Sequence, residues 1–138
     1  MIFLDSTVLI DYFNGNSTWQ VDYLDTILGT ELVVIGDIVI AEVLQGFRTD
    51  KDYQTAKSVL LEFPCYDICD KNLAIKSADN FRSLRKKGII IRKTIDMIIA
   101  TFCIENNLSL LHNDKDFALI AENLNLQVVT NTAKRKTS

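Results

Sequence analysis

Short apolar runs alternate along the chain with longer segments in which apolar residues recur every three or four positions. A short apolar run between turn residues predicts a buried strand, whereas the helical spacing predicts a helix with one buried face. The predicted strands cover residues 2–4, 32–35, 65–68, 108–111 and 127–129. The predicted helices cover residues 7–13, 18–28, 38–45, 53–63, 71–87, 94–106 and 117–124.

This alternation is typical of a parallel sheet whose two faces are both covered by helices. We therefore expect an α/β domain of three layers, with a central parallel sheet of about five short strands flanked by helices. At 138 residues, 48% of them hydrophobic, the chain suits a single core. The domain is predicted to span residues 1–130, and residues 131–138 are predicted to be a basic tail with the composition of a disordered segment.

Composition and the first residues bear on the location of the protein. The apolar runs are far shorter than the roughly 20 residues that cross a bilayer, and the chain starts without a basic leader. We therefore expect a cytoplasmic protein without a membrane segment. Three cysteines, an odd number, argue against a disulfide framework. Cys65 and Cys69 suggest half of a zinc site, but His112 is the single histidine, so we expect these cysteines to be small apolar fillers.

Charge is unevenly distributed along the chain. The net charge of −3 argues against nonspecific duplex binding by the whole surface. Basic residues are nevertheless concentrated between Arg82 and Lys93 and again between Lys134 and Lys136. Such segments usually form a solvated face or tail, and the alternative is contact with phosphates. The sequence leaves both interpretations open.

Acidic residues occur where a parallel sheet binds its ligands. Asp5 and Asp114 lie just beyond the ends of predicted strands, and ligands bind at the carboxyl ends of the strands in such sheets. Each acid has a structural interpretation when it is considered alone. Asp5 suits the N-cap of the following helix, and Asp96 in a first helical turn is stabilised by the helix dipole.

Glu42 is the acid that a structural role explains least well. It lies within the almost wholly apolar segment from Ile38 to Leu44, where a charge buried without a partner would be costly. Either it reaches solvent along one edge or something compensates it, and a metal ion is one such partner. Carboxylates without histidine or thiolate neighbours favour Mg²⁺ or Mn²⁺, which predicts hydrolysis of a phosphodiester. The sequence offers no Ser-His or Cys-His pair of nucleophile and base, so we expect no covalent enzyme intermediate.

Four segments together carry a resemblance to a known family. They are Phe3–Asp11, Ile40–Val43 followed by Gly46, Asp96–Ala100, and Leu110–Phe117. In order and approximate spacing they resemble the motifs of PIN-domain proteins, especially the VapC-like toxins of toxin-antitoxin pairs. The resemblance extends from Ile2 to about Val129.

The resemblance implies a site and its ligands. It assigns the catalytic and metal-binding acids to Asp5, Glu42, Asp96 and Asp114, with Asp116 as an extra or substitute ligand. Supporting roles fall to Ser6, whose hydroxyl would hydrogen-bond the site or a bound water, and to Asn113. Two positions depart from the family pattern: His112 stands where threonine is usual, and Asp37 stands where a serine or threonine often begins the helix.

The resemblance also implies an activity and partners. It predicts the PIN-domain fold and an endoribonuclease dependent on Mg²⁺ or Mn²⁺ that cleaves RNA, often a tRNA, and that forms a homodimer. It predicts an antitoxin that wraps the toxin with a C-terminal segment and places a basic side chain in the acidic pocket. We further expect that RNA is guided toward the acids by basic residues preceding Asp96, namely Arg85, Lys87, Arg92 or Lys93.

Three alternatives concern the function and the role of one residue. A PIN-like module that is catalytically idle would serve only as a scaffold for RNA or protein, since fold does not determine function. A receiver-like or dehalogenase-like phosphotransfer domain would need a second aspartate at the first strand, where this chain has Asp5, Ser6 and Thr7. His112 is either a proton donor or a structural residue whose ring hydrogen-bonds the turn after the strand.

Overall fold

A computed structural model describes residues 1–131 of the chain. The predicted basic tail lies outside the described residues except for Asn131. The strands are β1 (Ile2–Leu4), β2 (Val33–Gly36), β3 (Cys65–Tyr66) and β4 (Ser109–Leu111). The helices are α1 (Ser6–Phe13), α2 (Trp19–Ile27), α3 (Asp37–Leu44), α4 (Asp50–Leu60), α5 (Lys71–Lys86), α6 (Thr94–Glu105) and α7 (Lys115–Asn123).

The sheet is parallel and has the strand order β3-β2-β1-β4. Its centre is buried on both faces, as the alternating pattern predicts: Phe3, Val34 and Leu110 are each 0% exposed. The predicted α/β architecture with a central parallel sheet is therefore confirmed. The carboxyl ends of the parallel strands all lie on the same side of the sheet, called here its carboxyl edge, and the candidate site lies there.

The sheet has four strands among the described residues, where the sequence predicts about five. Residues 127–129 form an isolated parallel bridge to β4, between Leu110 and Val128. Gln127 is exposed, and Val128 and Val129 are only partly buried. This segment buries too little apolar surface to extend the ladder into a full strand.

The third strand is also shorter than predicted. A strand over residues 65–68 is expected to be buried, but β3 contains two residues and both are exposed at the edge of the sheet. Cys65 and Cys69 are exposed as well, so their predicted role as apolar fillers is wrong. Cys103, in α6, is the buried cysteine among the described residues.

Helices α1, α3, α4 and α7 begin one to three residues earlier than predicted, and for α3 and α4 the reason is local. Helix α4 begins at Asp50 because the Thr49 hydroxyl accepts a hydrogen bond from the Asp52 amide, 3.2 Å. Helix α3 begins at Asp37, which is expected from sequence to be its cap, and Gly36 occupies the N-cap position. The Asp37 carboxylate instead accepts the Ile38 amide at 2.8 Å. None of the helices described within residues 1–131 is long and apolar enough to span a membrane.

Helices α5 and α6 form an antiparallel pair that places the start of α6. Lys76 near the start of α5 pairs with Glu105 at the end of α6, 2.6 Å, and Asn80 donates to the buried Thr101 hydroxyl, 3.1 Å. The end of α6 leads directly into β4. The start of α6 therefore lies at the carboxyl edge of the sheet.

Candidate active site

The four acids Asp5, Glu42, Asp96 and Asp114, the acid cluster, come from four different segments at the carboxyl edge of the sheet. Asp5 directly follows β1, and Asp114 follows β4. Glu42 lies in the second turn of α3, which directly follows β2. Asp96 lies in the first turn of α6. The connections of the fold bring together acids from the two ends of the domain, as the sequence predicts.

Asp5 is both a helix cap and a site residue. Its side chain caps α1, and one oxygen, Oδ2, accepts two hydrogen bonds from Thr7: the amide at 3.1 Å and the hydroxyl at 2.6 Å. The residue is 2% exposed. Its other oxygen, Oδ1, is buried without a hydrogen-bond partner among residues 1–131. The structural and functional interpretations of Asp5 are therefore compatible, since each uses a different oxygen.

Glu42 and Asp96 share this feature with Asp5. Within the described part of the chain, Glu42 Oε1 and Asp96 Oδ2 are likewise buried without a hydrogen-bond partner. Polar atoms in protein interiors are nearly always paired, and each exception calls for an explanation. Three such oxygens, all from carboxylates on separate elements, indicate a site that is built to receive a positively charged group.

The pKa shifts show that these acids face one another. Burial, followed by the negative charges of Asp5 and Asp114, raises the pKa of Asp96 to about 7. Burial also raises the pKa of Glu42, with the charge of Asp5 as the next cause. Burial raises the pKa of Asp5 against the lowering effect of the Thr7 hydrogen bonds. Like charges in a desolvated site disfavour ionisation of each other.

Asp114 and Asp116 have different surroundings. Asp114 caps α7 through Oδ1, which accepts the Asp116 amide at 2.9 Å, while its charge raises the pKa values of Asp5 and Asp96. Asp116 is 5% exposed, and its Oδ2 accepts the Arg92 Nε–H at 3.3 Å. The structure thus gives Asp116 a cationic partner of its own. Its role as an extra metal ligand stays a prediction.

Ser6 and Asn113, the predicted supporting residues, both contact site residues. Ser6 is buried, and a hydrogen bond from its side chain lowers the pKa of Glu42. The Asn113 amide donates to the Thr7 hydroxyl at 3.0 Å, and its side-chain amide donates to Asp11 at 3.0 Å. Ser6 thus acts on the ionisation of one acid, whereas the hydrogen bonds of Asn113 hold the loop that carries Asp114.

His112 has the structural role that the sequence left as one of two interpretations. Its Nδ1 accepts the Asp114 amide at 3.1 Å, so this nitrogen carries no proton. Burial lowers the pKa of the imidazole, which favours the neutral ring. The ring also packs at 5.3 Å from that of Phe117. The geometry therefore supports a residue that shapes the turn after β4 and disfavours Nδ1 as a proton donor.

The four predicted RNA-guiding residues separate into two pairs. Arg85 lies over the Phe81 ring at 5.7 Å, and Lys87 donates to the carbonyl of Asn123 at 3.4 Å. Asn123 is at the far end of α7 from Asp116, roughly 10 Å away along the helix.

The second pair lies beside the acids. Arg92 pairs with Asp116, and the charge of Lys93 lowers the pKa values of Glu42 and Asp96. Arg92 and Lys93 therefore interact with acids of the site, whereas the contacts given for Arg85 and Lys87 within residues 1–131 are with other residues.

Sequence reasoning missed three residues that hold the site. Thr7 holds Asp5, Asp11 holds Asn113, and Gln20 donates to the carbonyl of His112 at 3.2 Å. A hydroxyl residue two positions after a capping aspartate was a usable signal for Thr7. The Gln20 contact joins residues 92 positions apart, and no local pattern indicates it.

The acid cluster fits a hard divalent cation on chemical grounds. Its donors are carboxylate oxygens, three of which lack hydrogen bonds within residues 1–131, and the charges repel each other. Among the described residues, no group of three acidic, histidine or cysteine side chains lies close enough together to coordinate a metal ion. Mutual repulsion explains why carboxylates on separate elements would stay apart until a cation draws them together.

The chain is similar to known proteins over nearly its whole length. The PIN-domain family model matches residues 2–123. A VapC ribonuclease from Mycobacterium bovis is 25% identical over 132 residues, which cover 94% of this chain and 98% of the relative.

Two solved structures share the fold. VapBC2 from Rickettsia felis, bound to a fragment of promoter DNA, matches with a TM-score of 0.75 and 22% identity over 94% of this chain and 98% of that chain. A toxin-antitoxin complex from Klebsiella pneumoniae matches with a TM-score of 0.70 and 23% identity over 95% and 98%. Because the family model covers most of its length, the chain belongs to the PIN-domain family.

Proposed function

We propose that the protein is an endoribonuclease that requires Mg²⁺ or Mn²⁺ and acts as the toxin of a VapBC-type toxin-antitoxin pair. The observation that carries the proposal is the set of three buried carboxylate oxygens without hydrogen-bond partners within residues 1–131. The 25% identity to a VapC ribonuclease supports RNA as the substrate. The complete acid cluster argues against a catalytically idle module, because mutually repelling buried acids are expected at functional sites and not in a plain scaffold.

The residues of the acid cluster have separable roles in this proposal. Asp5, Glu42 and Asp96 would hold the cation through their unpaired oxygens, with Asp114 adding negative charge. The bound cation supplies an activated water and neutralises charge on the phosphate.

The remaining contacts fix the geometry of these acids. The two Thr7 hydrogen bonds hold Asp5, and the Ser6 side chain lowers the pKa of Glu42. Preorganised ligands avoid the cost of reorganisation during the reaction. Burial keeps bulk water away, which strengthens the electrostatic interactions at the site.

The phosphate backbone of RNA needs cationic help to approach the acid cluster. Arg92 is suited to this role because Asp116 engages its Nε, while its side chain is 67% exposed. The guanidinium is therefore anchored on the protein and accessible from solvent. Lys93 adds a second positive charge beside Glu42 and Asp96. Together these residues would guide the scissile phosphate toward the acids.

An antitoxin is the proposed protein partner. A cavity of about 420 Å³ lies between α1, α2 and α4, lined largely by apolar residues that include Tyr12, Leu28 and Leu32. Its lining also includes Glu31 and Glu62. An apolar groove with acidic residues suits an amphipathic segment that carries basic side chains. The solved toxin-antitoxin complexes that share the fold support an antitoxin as the occupant.

Repulsion within the acid cluster predicts a pH dependence of stability in EDTA. The folded-state pKa of Asp96 is about 7, above its ordinary value of 3.8. Between pH 3.8 and about pH 7 the folded protein therefore keeps a proton that the unfolded chain has lost. Stability should therefore fall as pH rises through this window, and the penalty should be complete above about pH 7. In EDTA at about pH 8, Asp96→Asn should melt at a higher temperature than wild type, by thermal denaturation.

The control for this stability measurement is Asp52→Asn, which alters an exposed acid in the first turn of α4. It should not raise the melting temperature. Mg²⁺ should stabilise wild type more at about pH 8 than at about pH 5, and should stabilise Asp96→Asn less. Coincident melting curves of wild type and Asp96→Asn in EDTA would contradict the repulsion.

Cleavage of RNA tests the activity directly. Purified protein incubated with total RNA should cut it with Mg²⁺ or Mn²⁺ and should stop in EDTA. Asp5→Asn and Asp96→Asn should each lower the rate by about 100-fold or more, because charge is removed at the cation while packing is retained. Asp52→Asn should cleave at the wild-type rate. Activity that persists in EDTA would sink the proposed metal dependence.

The division of the basic residues predicts different effects on RNA binding. In an Asp5→Asn background, which prevents cleavage, Arg92→Gln with Lys93→Gln should weaken binding of single-stranded RNA. The slope of log affinity against log salt should shrink by about 0.7 for each phosphate that is no longer neutralised. Arg85→Gln with Lys87→Gln, the matched pair, should have a smaller effect. Equal effects of the two pairs on RNA binding would contradict the proposed phosphate contacts and would mean that Arg92 and Lys93 form an ordinary solvated face.

The toxin role is tested by growth. Expression in a bacterial host should arrest growth, and Asp5→Asn should abolish the arrest at equal protein levels. Co-expression of the product of the neighbouring reading frame should restore growth. Leu28→Glu, which places a charge in the groove, should remain toxic and resist this rescue, since the charge would be buried by an apolar partner segment. Full rescue of Leu28→Glu would place the antitoxin elsewhere.

A further inference from the structure

The hydroxyl of Thr7 joins two segments of the acid cluster. It donates to Asp5 Oδ2 at 2.6 Å and accepts the amide of Asn113 at 3.0 Å. Asn113 directly precedes Asp114 in the loop between β4 and α7. One oxygen atom therefore contacts the first acid and the backbone next to the last one, across 106 positions of the chain.

A second contact fastens the same loop to α1. The Asn113 side chain donates to Asp11 Oδ2 at 3.0 Å, and Asp11 lies one helical turn after Thr7. Asp11 is itself held, because its Oδ1 accepts the Asn16 side chain at 3.0 Å. The loop is thus attached to α1 at two points, through Thr7 and through Asp11.

Helix capping alone does not require the Thr7 hydroxyl. A capping aspartate needs a backbone amide, and the Thr7 amide supplies one to Asp5 at 3.1 Å. Asp70 and Asp114 cap α5 and α7 by accepting the amides of Leu73 and Asp116. Asp5 receives a side-chain donor as well, and that donor is bonded to a distant loop.

The extra bond restricts the carboxylate of Asp5. With two donors on Oδ2, the side chain is fixed so that Oδ1 stays buried without a hydrogen-bond partner among residues 1–131. A freely rotating carboxylate would lose this orientation, and repulsion from Asp114 favours its rotation away. The contact is therefore placed to keep Asp5 Oδ1 available to a cation and the charge of Asp114 close to it.

We propose that Thr7 is a positioning residue that sets the cation affinity of the acid cluster by locking Asp5 to the loop that carries Asp114. The proposal rests on the metal dependence proposed above. It adds a residue that does not contact the cation or the RNA and acts through Asp5. Residues that hydrogen-bond metal ligands typically contribute about 10- to 100-fold to metal affinity or activity.

The experiment measures Mn²⁺ affinity of the RNA-free protein by electron paramagnetic resonance. Thr7→Val keeps the shape and the capping amide but removes the hydroxyl, and it should bind Mn²⁺ about 10- to 100-fold more weakly. Thr7→Ser restores the hydroxyl and should stay within about threefold of wild type. Thr55→Val is the matched control, since its exposed hydroxyl donates to the carbonyl of Lys51 within α4, and its affinity should be unchanged.

Kinetics separate positioning from substrate binding. Thr7→Val should lower kcat at fixed Mg²⁺ and leave KM for RNA nearly unchanged, because the proposed phosphate contacts are Arg92 and Lys93. Asn113→Ala, which removes the bond to Asp11 and leaves the backbone bond to Thr7, should weaken Mn²⁺ binding to a smaller extent. Urea unfolding checks that each variant is folded. If Thr7→Val does not fold, the Mn²⁺ affinity of Asn113→Ala is the test.

The outcomes distinguish this inference from the proposed function. Equal Mn²⁺ affinity of wild type and Thr7→Val overturns the inference and leaves the metal-dependent function standing. Equal losses in Thr7→Ser and Thr7→Val overturn it too, since the loss would then not follow the hydroxyl. A wild-type protein that binds no Mn²⁺ overturns both. Loss in Thr7→Val with recovery in Thr7→Ser supports the inference.

Discussion

Repulsion among four carboxylates at one edge of the sheet is the constraint on which the rest of the site depends. Asp5 and Asp96 are almost fully buried, and the charge of each acid disfavours ionisation of its neighbours. A folded chain tolerates this arrangement because strands and helices on either side form a well-buried core. The cost in stability is consistent with a functional site, since an apolar residue in place of Glu42 or Asp96 would avoid the repulsion.

The surroundings of the acids limit the repulsion without removing it. Thr7 donates twice to Asp5, the Ser6 side chain lowers the pKa of Glu42, and Lys93 adds positive charge near two of the acids. Arg92 neutralises Asp116 in an ion pair beside the site. Three oxygens still remain unpaired within residues 1–131, so the chain leaves a deficit that a cation can fill. A metal ion and a guided phosphate are both consistent with that distribution of charge.

Local pattern predicted the centre of the fold better than its margins. Strands β1, β2 and β4 are apolar because both faces of a parallel sheet are covered, and that pattern is visible in the sequence. At the margins, β3 is exposed and residues 127–129 form a single bridge, because edge segments have a neighbour on one side only. The sequence cannot distinguish an apolar residue in an edge strand from one in the core, which is why the exposed position of Cys65 in β3 was not predicted.

For the site, the sequence by itself determined which acids are present, which of them begin helices or follow strands, and that no soft ligands accompany them. The family resemblance joined those acids into a cluster. Only the tertiary structure decided that Asp116 pairs with Arg92, that Lys87 contacts the end of α7, and that Thr7 joins Asp5 to the distant loop. These facts depend on contacts between residues far apart in the chain, and local periodicity carries no information about such contacts.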